Sequence, residues 1–234
     1  MFLPLRDDLP RDRFPIVTLL LVAANVLVYL LWTLPLNQHG QAYLAATAGA
    51  IPYEIVSGVD IGPRDVVAPP ATIWTSMFLH GGLMHLVGNM WFLWIFGDHV
   101  EDAFGPVRFA IFYFVVGTVG AVAQVLAMPA STVPMIGASG AIAGALGAYV
   151  MLYPRARVAT LVMIPFLWPV IQVRAWIFLG LWFLAQFLLP TGSGVAWMAH
   201  VGGFIAGAGV ARLLARRPSA RPVEVEYIPP TRRS

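Results

Sequence analysis

The sequence predicts an all-α, polytopic membrane protein built from six transmembrane helices. Hydrophobic residues make up 59% of the 234 residues and charged residues only 11%, whereas soluble domains carry roughly 25% charged residues. The apolar residues gather in six segments, most of them long enough to cross a bilayer as a helix. All basic residues are arginine, and a six-span topology places nearly all of them on one side.

The spans, tails and loops follow from composition. The first apolar segment is longer than the apolar core of a cleaved signal peptide, which is the alternative at this position. The six predicted spans are 16–34, 73–97, 109–128, 135–153, 175–189 and 195–214. They define a membrane domain over 16–214, with an N-terminal tail over 1–15 and a disordered tail over 215–234 that is rich in proline and arginine.

Two connecting segments differ from simple short links. Residues 35–72 contain five prolines and scattered acids, and they predict a long irregular loop with short turns. Residues 158–174 are apolar, but Pro165 and Pro169 interrupt them. We therefore expect a re-entrant or interfacial connector there rather than a further crossing.

The arginines predict the orientation. With six crossings, thirteen of the fourteen arginines lie on the side of the two termini, and Arg64 is the exception. The positive-inside rule then predicts that both termini are cytoplasmic. The expected location is the cell membrane of a prokaryote. The net charge of +3 is accounted for by this orientation in a lipid bilayer, so no nucleic-acid partner is expected.

Composition also excludes several chemistries. The chain has no cysteine and no lysine, which excludes disulfides, thiolate catalysis and a Ser-Lys dyad. It has no H-E-x-x-H zinc motif and no pair of intramembrane acids of the kind that an aspartyl protease needs. No metal and no cofactor is expected.

Four polar side chains fall at one depth in this topology. Ser139 lies near the outer end of the fourth span, and His200 lies about five residues into the sixth. His85 and Asn89 lie in the outer half of the second span. Burying a polar side chain in hydrocarbon costs free energy. Four such side chains at one depth therefore favour a common function over a chance distribution of polar residues.

Small residues flank the serine and the histidine at helical spacing. Such residues let membrane helices approach closely, and close approach is what a Ser–His hydrogen bond of roughly 2.6–3.2 Å requires. The glycines alone would indicate only helix packing, but on the same faces as a serine and a histidine they favour a catalytic pair. They are Gly140 and Gly144 in the fourth span, and Gly203 and Gly207 in the sixth.

His85 and Asn89 are four residues apart, on one helix face. Both can donate hydrogen bonds to an oxyanion, as can the amide of Ser139; the alternative for His85 is a structural histidine bonded to a carbonyl. No acid lies in the outer half of any span, so a Ser-His dyad rather than a triad is expected. The remaining histidines, namely His39, His80 and His99, are interpreted as structural or solvated.

These motifs together resemble the rhomboid family of intramembrane serine proteases over about residues 73–214. The stretch from His80 to Asn89 resembles the family's H-x4-H-x3-N pattern. Gly137-Ala-Ser139-Gly140 resembles its G-x-S-G motif, and Ala199-His200-Val-Gly-Gly203 its A-H-x-x-G motif.

The resemblance implies a six-helix rhomboid-like bundle and a role for each matched residue. Ser139 would be the nucleophile and His200 the general base, with His85 and Asn89 in the oxyanion hole and Gly137 shaping the loop. Substrates would be transmembrane proteins, cut at or near the outer end of a helix.

Two departures from the family pattern are visible. Ala71-Thr72 stands where many members have Trp-Arg, and Ala143 stands where many have an aromatic residue that stacks on the catalytic histidine. We therefore expect another aromatic residue, from the fifth span, to support His200. That span, with Trp176, Trp182, Phe183 and Phe187, and the outer loop are candidates for the substrate gate.

Two other classes of function remain to be weighed. A non-catalytic rhomboid-like adaptor that binds membrane helices is the main alternative, although inactive relatives usually lack the serine or the histidine. A transporter is less consistent with the sequence, because neither an internal repeat nor charged pathway residues are present.

Overall fold

The computed structural model describes residues 2–62, 67–165, 167–188 and 195–214. Within these residues the chain is mostly helical, with one small sheet. The predicted tail over 215–234 lies outside them. The elements are β1 (Phe2–Asp7), α1 (Ile16–Val28), α2 (Gln38–Ala48), α3 (Pro52–Ser57), α4 (Thr72–Thr75), α5 (Leu83–Phe92), α6 (Asp98–Phe104), α7 (Pro106–Ala127), α8 (Ser139–Leu152), β2 (Arg157–Val162), β3 (Val170–Arg174), α9 (Ala175–Gln186) and α10 (Trp197–Leu214).

Three helices in the described part of the chain are long and apolar enough to cross a membrane: Ile16–Thr33, which is α1 with its π-helical extension, then α7 and α10. The helices α8 and α9 are apolar but shorter. α7 runs antiparallel to both α8 and α10, so these last two run parallel. The predicted bundle of apolar helices is thus confirmed, and the count of six crossings stays a prediction.

The second predicted span is shorter than expected. Residues 73–97 were expected to form one helix, but α4 and a 3-10 turn over Ser76–Phe78 are separated from α5 by Leu79–Gly82. Gly81 and Gly82 explain the break, because glycine loses more conformational entropy in a helix than any other residue. α5 begins at Leu83 and continues as a π-helical turn over Leu93–Gly97.

The outer loop is more regular than predicted. Residues 35–72 contain α2 and α3, so the expectation of an irregular loop was wrong there. The Asn37 side chain caps α2 by accepting a hydrogen bond from the Gly40 amide at 2.9 Å. α3 carries Pro52 in its first turn and ends at Gly58, whose φ is 69°. These are local capping signals, which composition alone does not reveal.

The purely helical prediction was also wrong at one place. The connector 158–174 forms β2 and β3 rather than a re-entrant segment, and the N-terminal tail adds β1 to give the antiparallel order β1-β2-β3. Val158, Ala159 and Thr160 of β2 are buried. β-branched residues favour strands, whereas the two prolines that interrupt the apolar pattern both lie between the strands, at Pro165 and Pro169.

Parallel packing of α8 against α10 depends on glycine. A Cβ on Gly203 would lie 3.1 Å from the carbonyl carbon of Gly140, and a Cβ on Gly207 would lie 2.5 Å from that of Gly144. A Cβ atom 2.5 Å from backbone is essentially never observed, and one at 3.1 Å is unusually close, so the predicted role of these small residues in helix approach is confirmed. The helix that begins with Ser139 and the helix that carries His200 are therefore held in direct backbone contact.

A buried polar cluster lies at the end of the bundle opposite Ser139 and His200. We call this end of the bundle the far end. The Asp7 carboxylate of β1 lies 2.9 Å from Nε2 of His99 and accepts a hydrogen bond from the Tyr149 hydroxyl at 2.5 Å. Arg11 and Asp98 form an ion pair at 2.5 Å. These contacts fix the N-terminal strand to the C-terminal part of α8.

The start of α1 is held at the same end by an acid from another helix. The Glu101 carboxylate accepts hydrogen bonds from the backbone amides of Val17 and Thr18 at 2.9 and 2.8 Å, and from the Thr18 hydroxyl at 2.8 Å. These amides have no intrahelical acceptor, and the buried carboxylate of Glu101 supplies one. The hydrogen bonds offset the free-energy cost of removing this carboxylate from water.

We expect the protein to lose stability as the pH rises through the pKa of His99. Burial disfavours the charged ring, but the hydrogen bond to Asp7 and the charge of Asp98 outweigh burial and the opposing charge of Arg11, and raise this pKa. A raised folded-state pKa stabilises the fold fully below the unfolded value of about 6.5, and the contribution is lost above the folded-state value. Thermal unfolding in detergent between about pH 6 and about pH 9 measures the effect.

The variant His99→Gln should flatten this pH profile, because the remaining amide does not titrate. The exposed His39 of α2 offers a matched control, and His39→Gln should keep the wild-type slope. Equal slopes in wild type and His99→Gln would contradict the prediction.

Candidate active site

Ser139 is the first residue of α8, and the loop before it sets its position. Gly137 has a φ of 123°, a region that side-chain-bearing residues rarely adopt. Its amide donates to the Ser76 carbonyl at 2.8 Å, and a Cβ at this position would lie 2.8 Å from the His85 ring. Only glycine therefore fits between the serine loop and α5, and its loop-shaping role in catalysis stays a prediction.

The structure brings Ser139 and His200 together. The Ser139 Oγ lies 2.7 Å from Nε2 of His200, although the two residues are 61 positions apart in the chain. This is hydrogen-bond distance, and both side chains are half-buried. A neutral imidazole at this distance can accept the hydroxyl proton as a general base while the oxygen attacks an electrophile.

The pair opens into a cavity of about 700 Å³. His85 and Asn89 of α5 line one side, Trp182 and Gln186 of α9 line the other, and α8 contributes Ser139 between them. Among the described lining residues there is no Asp, Glu, Lys or Arg. The site is thus a mainly apolar space in which a few polar groups converge, as is usual for ligand pockets.

Two of the lining side chains are suited to bind a negative oxygen. Asn89 is 8% exposed, and its Nδ2 has no hydrogen-bond partner among the described residues. A buried unpaired donor costs free energy, so a bound acceptor would stabilise it. His85 lies beside Asn89 against Gly137, and its ring is packed edge-on with the buried ring of His80, with centroids 5.0 Å apart. The Ser139 amide, at the first turn of α8, has no intrahelical acceptor either.

Two residues of α9 surround the His200 ring. Trp182 lies with its ring centroid 6.1 Å from that of His200, so an aromatic residue of the fifth span does support the histidine where Ala143 cannot. Gln186 is buried, and its Oε1 lies 2.7 Å from Nδ1 of His200. Gln186 was not predicted from the sequence, because the group that orients a catalytic histidine is usually an acid, whereas an amide oxygen can accept the same hydrogen bond.

The remaining histidines lie away from the pair. His39 is exposed on α2, His99 is buried in the far-end cluster, and His80 is 1% exposed beside His85. In the described part of the chain, no group of three or more histidines and acids could hold a metal ion.

Comparison with known proteins identifies the family. Residues 70–217 match the model of the rhomboid domain, so the chain belongs to the rhomboid family. RHOMBOID-like protein 6, mitochondrial, of Arabidopsis thaliana is 30% identical over 149 residues, which cover 62% of this chain and 44% of that protein.

Shorter matches include relatives with different activities. Rhomboid protease GluP of Bacillus subtilis (strain 168) is 42% identical over 74 residues, 32% of this chain and 14% of that protein. Inactive RHOMBOID-like protein 8 of Arabidopsis thaliana is 40% identical over 76 residues, 32% of this chain and 21% of that protein. The chain spans less than half the length of these relatives. Since the family contains both a named protease and a named inactive member, activity has to be argued from the site.

Proposed function

We propose that this protein is an intramembrane serine endopeptidase that cleaves transmembrane segments of other membrane proteins. The observation that carries the proposal is the 2.7 Å contact between the Ser139 hydroxyl and His200, at the wall of a cavity with unpaired hydrogen-bond donors. A structural serine would need neither the aligned imidazole nor the empty space in front of it.

The residues divide the reaction between them. Ser139 Oγ attacks the peptide carbonyl carbon while Nε2 of His200 takes its proton, and the carbonyl electrons move to the oxygen. His85, Asn89 and the Ser139 amide stabilise that oxyanion. His200 then gives the proton to the leaving amine as the C–N bond breaks, and a water molecule, activated in the same way, hydrolyses the acyl-enzyme.

The proposed topology has six crossings with both termini cytoplasmic. Contacts along the bundle support it: β1 and the C-terminal end of α8 meet at the far end, and α10 runs parallel to α8. These contacts are consistent with placing β1 and the last turn of α10 on the side to which the six-span topology assigns thirteen of the fourteen arginines. A prokaryotic cell membrane is the proposed location.

The substrate is proposed to lie between α5 and α9. The site cavity extends between these helices, and its lining includes Met84, Phe92 and Trp182 beside the polar groups. An apolar, uncharged segment of a transmembrane protein matches such a lining, because a charged one would lose its hydration without gaining a partner. Trp176 of α9 and Phe187, which directly follows this helix, are about half exposed and would contact lipid or substrate.

A fluorophosphonate probe tests the function directly, because it phosphonylates an activated serine and the labelled residue can be identified. Wild-type protein in detergent should be labelled at Ser139, and His200→Ala should prevent labelling. Absence of labelling, together with retained binding of a transmembrane peptide, would favour the helix-binding adaptor instead.

Asn89→Ala and His85→Ala should each reduce turnover by roughly 10- to 1000-fold, because each removes a donor to the oxyanion. The expected loss is in kcat, measured with a fluorogenic transmembrane reporter in proteoliposomes. Val87 lies between them on α5 and is exposed away from the core, so Val87→Ala is a matched control that should keep wild-type turnover. Unchanged rates in both donor variants would show that the oxyanion is bound by other groups.

A further inference from the structure

Gln186 connects the His200 ring to the backbone of α9 through two hydrogen bonds. Its Oε1 lies 2.7 Å from Nδ1 of His200, and its Nε2 donates to the Trp182 carbonyl oxygen at 3.0 Å. The side chain is 7% exposed. On its other side the same ring reaches the Ser139 hydroxyl through Nε2.

These contacts determine where the protons lie. A backbone carbonyl can only accept, so the NH₂ group of Gln186 must face Trp182, and its oxygen must face His200. An amide oxygen can also only accept, so Nδ1 of His200 must carry the proton. In a neutral ring, Nε2 is then unprotonated and free to accept the hydrogen from Ser139. The Trp182 carbonyl thus fixes the orientation of the Gln186 amide. The amide in turn fixes the tautomer of the His200 ring that faces the Ser139 hydroxyl.

We propose that Gln186 is the positioning residue that holds His200 in the tautomer and orientation required for a general base, in place of the carboxylate of a Ser-His-Asp triad. The inference rests on the proposed function and deepens it. A carboxylate in this apolar site would carry a large desolvation cost, whereas an amide orients the ring without a charge. Gln186 therefore supplies orientation, but not the charge stabilisation that an acid gives to the imidazolium.

Two substitutions at this position separate orientation from packing. Gln186→Leu keeps the approximate volume and removes the acceptor, so kcat should fall by roughly 10- to 1000-fold, less than the loss of about 10⁴-fold that a wrong tautomer causes in a full triad. KM and the unfolding temperature should stay close to wild type. Gln186→Glu restores an acceptor for Nδ1 but loses the donor to the Trp182 carbonyl, so it should recover part of the lost kcat.

The glutamate variant also gives a readout that packing would not change. A carboxylate beside Nδ1 favours the protonated ring, so the acidic limb of the pH–kcat profile should move to higher pH than in wild type. Leu184 lies on the exposed side of the same helix, and Leu184→Ala is the control that should leave the profile and kcat unchanged.

Nitrogen NMR of protein labelled with ¹⁵N-histidine tests the tautomer without any substrate, the His200→Ala spectrum identifying the signal. The expected result is a neutral His200 protonated at Nδ1 in wild type and a mixture of tautomers in Gln186→Leu. A wild-type ring protonated at Nε2, or a Gln186→Leu variant with unchanged tautomer and unchanged kcat, would overturn the proposal. If the wild-type protein hydrolyses no substrate, the proposed function is wrong. The NMR measurement still tests whether Gln186 fixes the tautomer of His200, because it needs no substrate.

Discussion

Replacing Ser139 by alanine is expected to abolish cleavage of a reporter transmembrane helix, with a loss of roughly 10⁴-fold or more in kcat. Removing the hydroxyl takes away the attacking atom, and among the described residues no other hydroxyl lies within hydrogen-bond distance of His200. The fold should be retained, because the Ser139 hydroxyl contacts the His200 ring and the alanine methyl group fits the same space. Turnover in proteoliposomes and the unfolding temperature in detergent measure the two parts of this prediction.

The matched control for this experiment is Ser57→Ala, at an exposed serine at the end of α3 that does not line the cavity. It should keep full turnover. Substantial cleavage by Ser139→Ala would assign the nucleophile to another group and would remove the basis of the proposed mechanism.

The variant Gly207→Ala is expected to cause the largest loss of stability among single-methyl changes in α10. The new Cβ would lie 2.5 Å from the carbonyl carbon of Gly144 and 2.7 Å from its Cα, so the backbones of α8 and α10 must separate. Overpacking of this kind costs roughly 1–3 kcal/mol. Activity should fall further, by about 10²-fold for a displacement near 1 Å, because Ser139 and His200 lie on the two separated helices.

Gly209 provides the matched control two residues later on the same helix. A Cβ there would meet nothing within 4 Å, so Gly209→Ala should be neutral or slightly stabilising, since alanine has the higher helix propensity. Thermal unfolding of the two variants side by side checks the prediction. Equal unfolding temperatures would show that the helix contact tolerates a methyl group.

The catalytic pair could be proposed from the sequence because its signals are local and chemical. A serine and a histidine in apolar segments are rare enough to be noticed, and the glycines beside them indicate which helix faces approach. His85 and Asn89 share the predicted depth of Ser139 and His200 in the membrane, and the structure places all four side chains around one cavity.

Other features depended on information that the sequence does not display. Gln186 is an ordinary amide by composition, and only its place opposite Nδ1 of His200 gives it a role. The β2–β3 pair could not be predicted because its apolar residues are equally typical of a membrane segment and of a strand. β1 forms a strand only through long-range pairing with β2. The helices α2 and α3 depend on caps rather than on hydrophobic periodicity.

The parallel arrangement of α8 and α10 has an electrostatic consequence. Both helices begin at the site, Ser139 being the first residue of one and His200 the fourth of the other. The peptide dipoles of a helix sum to a partial positive charge of roughly half an elementary charge at its N-terminus, so two such fields add where the peptide carbonyl would be attacked. A cavity without a single cationic side chain among its described lining residues can therefore favour an anion, and do so at any pH at which the helices are folded.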